Sequence, residues 1–399
     1  MGVELKELVK QINSSDVKLL AGKEGLSNNV EWIHMVDTVE IAEFLSGGEL
    51  AFTTGLGVGE QMSIMDLIEN LYKKKSSGIF INIGPYIKEI PKEAIDFGNS
   101  HNFPIFEVKW KVHMSEIMRM FSFTITSSEQ RTMELVAAFK NAIFMPRQEE
   151  LYISTLMQKG YFAGWNYIIG VIDICDRVVG EDQEEIYSPL LNQRLEMFLK
   201  NAELTIKPRK HEVVLFTDQD RIVIVFSDIS ENEASELVEQ ARKGMEQYMK
   251  DSEVTFAGTG AVASDIRSMS KSYILAHKIA QYCKVMHMYD STMKYSDMGM
   301  YKILLDVADK TVLEEYYNET IKVLDDYDAN NGSNLVKTLE CYMDNNGSVF
   351  ETADELFVHR NTVNYKLKKI ESLLGISIAD YHERNRLALG LCAGITLKL

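Results

Sequence analysis

The chain has 399 residues, 46% hydrophobic and 25% charged, the composition of a globular protein long enough for two or three domains. Its longest apolar stretch, residues 387–397, is too short to cross a bilayer and contains two glycines, so it reads as a buried helix. Cys175, Cys283, Cys341 and Cys392 form no CxxC pair, and no basic-then-apolar leader opens the sequence. Both features predict a cytoplasmic protein with free thiols and no membrane segment.

Net charge is −17, but it is unevenly spread. From Lys337 onward there are eight Lys/Arg and eight Asp/Glu, leaving 34 basic and 51 acidic residues before them. Within that neutral segment, residues 359–370 hold Arg360, Lys366, Lys368 and Lys369 and no acid. An acidic body with one basic element repels DNA everywhere except at that element.

In chain order, Glu49-Leu50-Ala51-Phe52-Thr53-Thr54 and Gly78-Ile79-Phe80-Ile81-Asn82-Ile83 are short apolar runs, as buried strands are. Ile64, Leu67, Ile68 and Leu71 recur between them at helical spacing, and Pro104-Ile105-Phe106-Glu107-Val108 supplies another strand. Strand, helix, strand predicts an α/β domain with parallel pairing over 1–125. A helical pattern with few breakers, carrying Ile117, Phe121, Ile125, Leu135, Val136, Phe139 and Ile143, continues from about 111 into a connector over 126–160. That connector is either a dimerising helix or one packed on its own domain.

A second α/β domain is predicted over 161–290. Its strands are 167–174, 212–216, 221–226 and 254–261, with a hairpin turn at Thr217-Asp218-Gln219-Asp220 and a helix over 269–285. From 291 the patterns are helical to the end: a linker over 291–334, then an all-α domain over 335–399. The predicted class is therefore multi-domain, two α/β domains joined by a helical connector and followed by an all-α helix-turn-helix domain.

Residues 348–375 carry the most information. Asn345-Asn346-Gly347 precedes two overlapping capping boxes, Ser348 with Glu351 and Thr352 with Glu355, so a helix starts here. Ala353 is small where helices cross, and Leu356 and Val358 pin a turn in which Phe357 stands where many such motifs carry glycine. A second helix, 360–374, ends at Gly375. Val363, Leu367, Ile370 and Leu374 share one face of it, while Asn361, Asn364, Tyr365 and Lys368 share the opposite one. A recognition helix needs this division, since its polar half enters the major groove while its back packs on its partner. Asn suits adenine, and Arg or Lys suits guanine. His359, Arg360, Asn361, Thr362, Asn364, Tyr365, Lys366, Lys368 and Lys369 are the candidate DNA-binding residues, with Thr362, Lys366 and Lys369 suited to phosphates. The alternative is a solvated basic face on an ordinary helical hairpin.

At Leu356-Phe357-Val358-His359-Arg360-Asn361-Thr362-Val363-Asn364-Tyr365-Lys366-Leu367 the sequence resembles the PucR (purine catabolism regulator) family of bacterial transcription factors, and Leu335 to Tyr342 resembles the helix before that signature. Asn364 and Lys366 stand where the family usually carries arginine, which implies a different sequence preference. Ala21-Gly22, Gly25-Leu26, Val30 to His34, Phe44 to Leu50, Thr53-Thr54-Gly55 and Asn102-Phe103-Pro104-Ile105 resemble the family's N-terminal regulatory domain. The middle region is similar to its degenerate GGDEF-like domain, best marked by Ser272-Tyr273 to Ala276. The resemblance implies a sensing and dimerising portion controlling a C-terminal reader, with genes of purine or other nitrogen-compound use as the regulon.

Other signals are weaker. Gly47-Gly48-Glu49-Leu50 imitates a cyclase signature in the wrong domain, and the hairpin that would carry one has Asp218-Gln219-Asp220, so no cyclase activity is expected. Gly55-Leu56-Gly57-Val58-Gly59, followed by Glu60, fits no phosphate loop and reads as a turn. Because it follows a strand end, Asp37, Glu49, Thr53, Thr54 and Gly55 become candidate ligand contacts. Cys283 and His287, four apart, lack further metal ligands, and the methionines, Met114, Met118 and Met120 among them, read as core and interface filler. The leading reading is a non-catalytic homodimer or higher homo-oligomer, without cofactor or metal, that binds a double-stranded DNA operator and a small-molecule effector, purine-derived in the first instance. Its rival is a small-molecule enzyme using Asp37, Glu49 and Thr53, whose C-terminal helices serve assembly.

Overall fold

The computed structural model describes residues 2–12, 15–58, 63–179, 185–190, 192–206 and 213–399. Gly59, Glu60 and Glu212, which figure in the sequence reading, lie outside the described residues. The chain divides into two compact units, Met1–Leu135 and Val136–Leu399.

In the first unit five strands form one sheet, in the order Val17–Ala21, Ile105–Lys109, Gly78–Ile83, Glu49–Thr53, Trp32–Met35. The last four pair in parallel and Val17–Ala21 runs antiparallel at the edge. Successive parallel strands are neighbours, so right-handed crossovers put the intervening helices on one face. There Ala42, Ile64, Leu67, Ile68, Leu71 and Ala94 pack with Ile79 and Ile105. On the other face Phe52, Phe80 and Phe106 stack across three strands in register, with ring centroids 4.8 and 4.3 Å apart. Phe121, from the helix Met114–Phe144, meets this column edge-on, and Leu5, Leu8, Met114, Ile117 and Ile125 complete the layer.

The second unit opens with helical turns up to Gln158 and then builds a mixed sheet in the order Val213–Asp218, Arg221–Ser227, Tyr167–Val179, Glu253–Thr259, Ser291–Lys294, with Glu185–Pro189 pairing along the end of Tyr167–Val179. Helices Asn192–Ile206 and Glu231–Glu246 cover one face around Ile172, Ile224 and Phe226. The helix Met269–Val285 seats directly on sheet backbone: a Cβ at Gly258 would lie 2.1 Å from the Ala276 carbonyl oxygen. Ser272 Oγ accepts a hydrogen bond from Ile169 N at 3.0 Å, tying that helix to the central strand.

Two expectations change here. The hairpin turn is tighter than the four residues predicted, since Asp218 pairs with Arg221 and Gln219 takes a left-handed φ of 52°. The chain after 291 is not helical throughout either. Ser291–Lys294 is a strand, paired in parallel with Glu253–Thr259, and its main-chain hydrogen bonds outweigh the weak helical pattern of its side chains.

The rest is helical: Tyr301–Leu305, Lys310–Thr320, Lys322–Asn331, Leu335–Asp344, Val349–Glu355, Arg360–Leu374 and Tyr381–Leu397. The stretch 387–397 lies in the last helix, with Leu387, Gly390, Leu391, Ala393 and Thr396 buried. Among the described residues, no helix is long and apolar enough to cross a membrane.

Candidate nucleic-acid interface

Three helices build the motif. Leu335–Asp344 ends at Asn345-Asn346-Gly347, where Asn346 (φ 51°) and Gly347 (φ 80°) turn the chain and Gly347 N donates to Tyr342 O at 2.8 Å. Ser348 then caps Val349–Glu355 by accepting from Glu351 N at 3.3 Å. Neither predicted capping box is reciprocal: Ser348 N donates to Asn345 O at 2.9 Å instead of to Glu351, and Thr352 caps no helix. Thr352 already lies inside the helix, where its hydroxyl donates to Ser348 O at 2.7 Å, and a cap requires non-helical backbone.

Val349–Glu355 closes in a Schellman turn, with Val358 N donating to Ala353 O at 2.9 Å. The residue at its left-handed position is Phe357, with φ 52° and 95% of its surface exposed. An L-residue with a Cβ pays about 1–2 kcal/mol there, and this side chain recovers none of it by packing. Phe357→Gly is therefore expected to stabilise the chain by roughly 0.5–1 kcal/mol net of glycine's greater unfolded-state freedom, read as a higher urea midpoint.

The helix Arg360–Leu374 follows. Val363, Leu367 and Ile370 are buried among Leu335, Leu339 and Ala353, Leu374 packs at the margin, and Gly375 (φ 67°) ends the helix. Arg360, Asn361, Thr362, Asn364, Tyr365 and Lys368 are exposed, Tyr365 to 70%. Spacing alone predicted this division. It did not foresee what holds the flanking groups. His359 is the N-cap, its Nδ1 accepting from Asn361 N at 3.2 Å. Lys366 donates to Asn334 Oδ1, and Lys369 sits over the Tyr327 ring at 4.7 Å from its centroid. The two lysines assigned to phosphates are thus half-buried and engaged within the protein, whereas Arg360 and Lys368 stand exposed.

In the first unit the candidate ligand residues separate into two places. Asp37 Oδ1 accepts from Thr53 Oγ1 (2.9 Å), Thr54 N (2.9 Å) and Thr54 Oγ1 (3.1 Å), and Thr53 Oγ1 accepts from Gly55 N (3.1 Å). These four residues gather at the C-terminal ends of parallel strands. Glu49 stands at the opposite end of its strand, where its carboxylate accepts from Ser46 N (2.9 Å) and Gly47 N (2.8 Å) and closes its own loop. Asp37, Glu49 and Thr53 are therefore not one constellation. Cys283 is fully buried, while His287 points to Glu185 at 3.0 Å. Among the described residues no group of three or more His, Cys, Asp or Glu is placed to hold a metal.

A polar, partly basic face on the last helix of a tightly capped three-helix motif defines a DNA-binding helix-turn-helix protein. Residues 335–393 match the PucR C-terminal helix-turn-helix domain, and residues 7–125 match the purine catabolism regulatory protein-like family. Both regions match models of domains found in the PucR family of transcriptional regulators, together over less than half of the chain. The chain is similar to the purine catabolism regulatory protein of Bacillus subtilis, 20% identical over 94% of this chain and 96% of that one. Two other Bacillus subtilis proteins align over shorter regions. They are the proline-responsive transcriptional activator PutR, 27% identical over 44% of each chain, and the DNA-binding transcriptional activator AdeR, 24% identical over 49% of this chain and 46% of that one. In those two alignments the chain spans under half of the relative's length.

Proposed function

We propose that the protein is a ligand-responsive, homodimeric transcription regulator that reads DNA with the exposed face of Arg360–Leu374. The single observation that carries this reading is the helix itself, polar and basic outward at Arg360, Asn361, Asn364, Tyr365 and Lys368 and apolar inward at Val363, Leu367 and Ile370. Residues 1–125 act as a sensor, 161–290 as a non-catalytic GGDEF-like domain, and 335–399 as the reader, all in the cytoplasm. The names of its relatives, one tied to purine catabolism and one responsive to proline, support genes of nitrogen-compound use as the regulon. Asp37, Thr53, Thr54 and Gly55 lie at the sheet edge where parallel α/β sheets receive ligands, which supports an effector contact there. Dimerisation is supported by the long helix Met114–Phe144, which has no buried residue over 126–137.

The test is a salt titration of DNA affinity by fluorescence anisotropy. Affinity should fall steeply with salt, and Lys368→Ala should shallow the log–log slope by about 0.9, the increment that one neutralised phosphate contributes on duplex DNA. Lys366→Ala should change it less, because its ammonium is already bonded to Asn334. A slope near zero in the unmodified protein would remove DNA from the proposal.

A further inference from the structure

A cavity of about 450 Å³ opens within the second unit, where the segment after the middle sheet meets the helices of the reading domain. That volume falls in the range of small-molecule sites. Its walls are apolar and soft. Five methionines line it, Met298 and Met343 among them, and the rings of Tyr282 and Tyr301 meet edge-on at one side, 4.7 Å between centroids. Thioethers and aromatic faces adapt to an apolar ligand, and aromatic faces attract cations.

The charged lining has one sign. Asp297, Glu340 and Asp344 contribute carboxylates, and among the described residues no Lys, Arg or His lines the cavity. Asp297 has Lys294 at 4.0 Å, whereas Glu340 and Asp344 form no salt bridge or side-chain hydrogen bond among the described residues. Burial pushes both of their carboxyls above the usual carboxylate range, moderated at Glu340 by Lys398. Burial also pushes the Tyr301 hydroxyl and the Cys392 thiol up, so neither adds an anionic group to the carboxyls at neutral pH.

We propose that this cavity binds a small organic ammonium ion with an apolar body, and that its occupancy is transmitted to the DNA-reading helix. The transmission half rests on the function proposed above. Glu340, Met343 and Asp344 all belong to the helix Leu335–Asp344, whose Leu335 and Leu339 pack in one core with Val363, Leu367 and Ile370 of the reading helix. A ligand that moves the first helix therefore moves the second, and by linkage DNA in turn alters ligand affinity by the same factor.

The experiment is calorimetric titration of the full chain with 2-phenylethylammonium, choline and 1,4-diaminobutane, using 2-phenylethanol and phenylacetate as neutral and anionic matches to the first. At least one ammonium probe should bind saturably, and 2-phenylethylammonium should bind about tenfold or more tightly than either match. E340Q combined with D344N should weaken the ammonium probes about tenfold, and Ala388→Phe, which fills the cavity, should abolish binding; circular dichroism shows whether each variant folds. Equal binding of phenylacetate, no saturable binding of any ammonium probe in the millimolar range, or unchanged affinity in the folded double variant overturns the proposal. DNA discrimination measured without ligand separates the two readings. If it persists while ammonium binding is absent, this inference alone fails. If it is absent while ammonium ions bind, the regulator reading fails and the cavity stands.

Discussion

Replacing Arg360 and Asn361 together by alanine is expected to reduce sequence-specific DNA binding to the non-specific level. Both side chains are exposed at the start of the reading helix, the end that approaches base edges in this class of motif. A well-formed contact of either residue type with a base discriminates by about 1–3 kcal/mol, and a two-fold dimer repeats each loss in both half-sites. The operator would first be recovered with the unmodified protein from a random duplex pool, then titrated with both proteins by anisotropy at fixed salt. The fold should be untouched, because neither side chain is buried and the cap from His359 reaches the Asn361 backbone, which alanine retains. Undiminished discrimination in a folded double variant would move the reading surface elsewhere.

Gly390→Leu should destabilise the second unit by about 3 kcal/mol or more. Gly390 and Gly394 face the helix Lys310–Thr320, and a Cβ at Gly390 would lie 2.2 Å from Thr320 Oγ1 and 2.9 Å from Ile321 Cγ1. Thr320 cannot swing aside cheaply, since it is buried and its hydroxyl donates to Tyr316 O at 2.6 Å. Overpacking of this kind costs roughly 1–3 kcal/mol, and forcing the helices apart also exposes the core around Leu324, Leu387 and Leu391. The diagnostic variant is Gly390→Ala. On an open helix face it would gain about 1 kcal/mol from helix propensity. Here it should lose stability, because the first added carbon already collides. Urea unfolding followed by circular dichroism reads both variants, and a more stable Gly390→Ala would show that the two helices are not closely packed.

Where local pattern dictates structure, the sequence was legible. The helix over 269–285, the reading helix and its apolar stripe, the hairpin and three strands of the first sheet all follow from spacing and turn chemistry. Ser291–Lys294 was not legible, because four residues in an edge strand carry too little periodicity to compete with a helical context. Trp32–Met35 and Val17–Ala21 escaped for the same reason: short, half-exposed strands are fixed by their neighbours. The candidate sites show the same limit. Glu49 and Asp37 look alike in sequence, yet sheet direction sends them to opposite ends. Lys366 and Lys369 look like free cations, because Asn334 and Tyr327 lie more than thirty residues away in the chain. No local spacing joins Met298, Glu340 and Cys392 into one cavity.

The strand Ser291–Lys294 also sets the kinematics of the joint it begins. Six residues separate Lys294 from Tyr301, and four of them, Tyr295–Met298, are coiled in a 3-10 turn that ends at Gly299, where φ is 52°. Even drawn straight, that span reaches only about 20 Å. Such a joint is short and packed: Met298 and Leu305, on either side of Gly299, share one core with Leu275 and Ile279 of the helix Met269–Val285, and Lys278 Nζ donates to Leu305 O at 3.1 Å. The chain therefore leaves the sheet edge anchored to the helix beside it, and the helices that follow start from a fixed point rather than from a free linker.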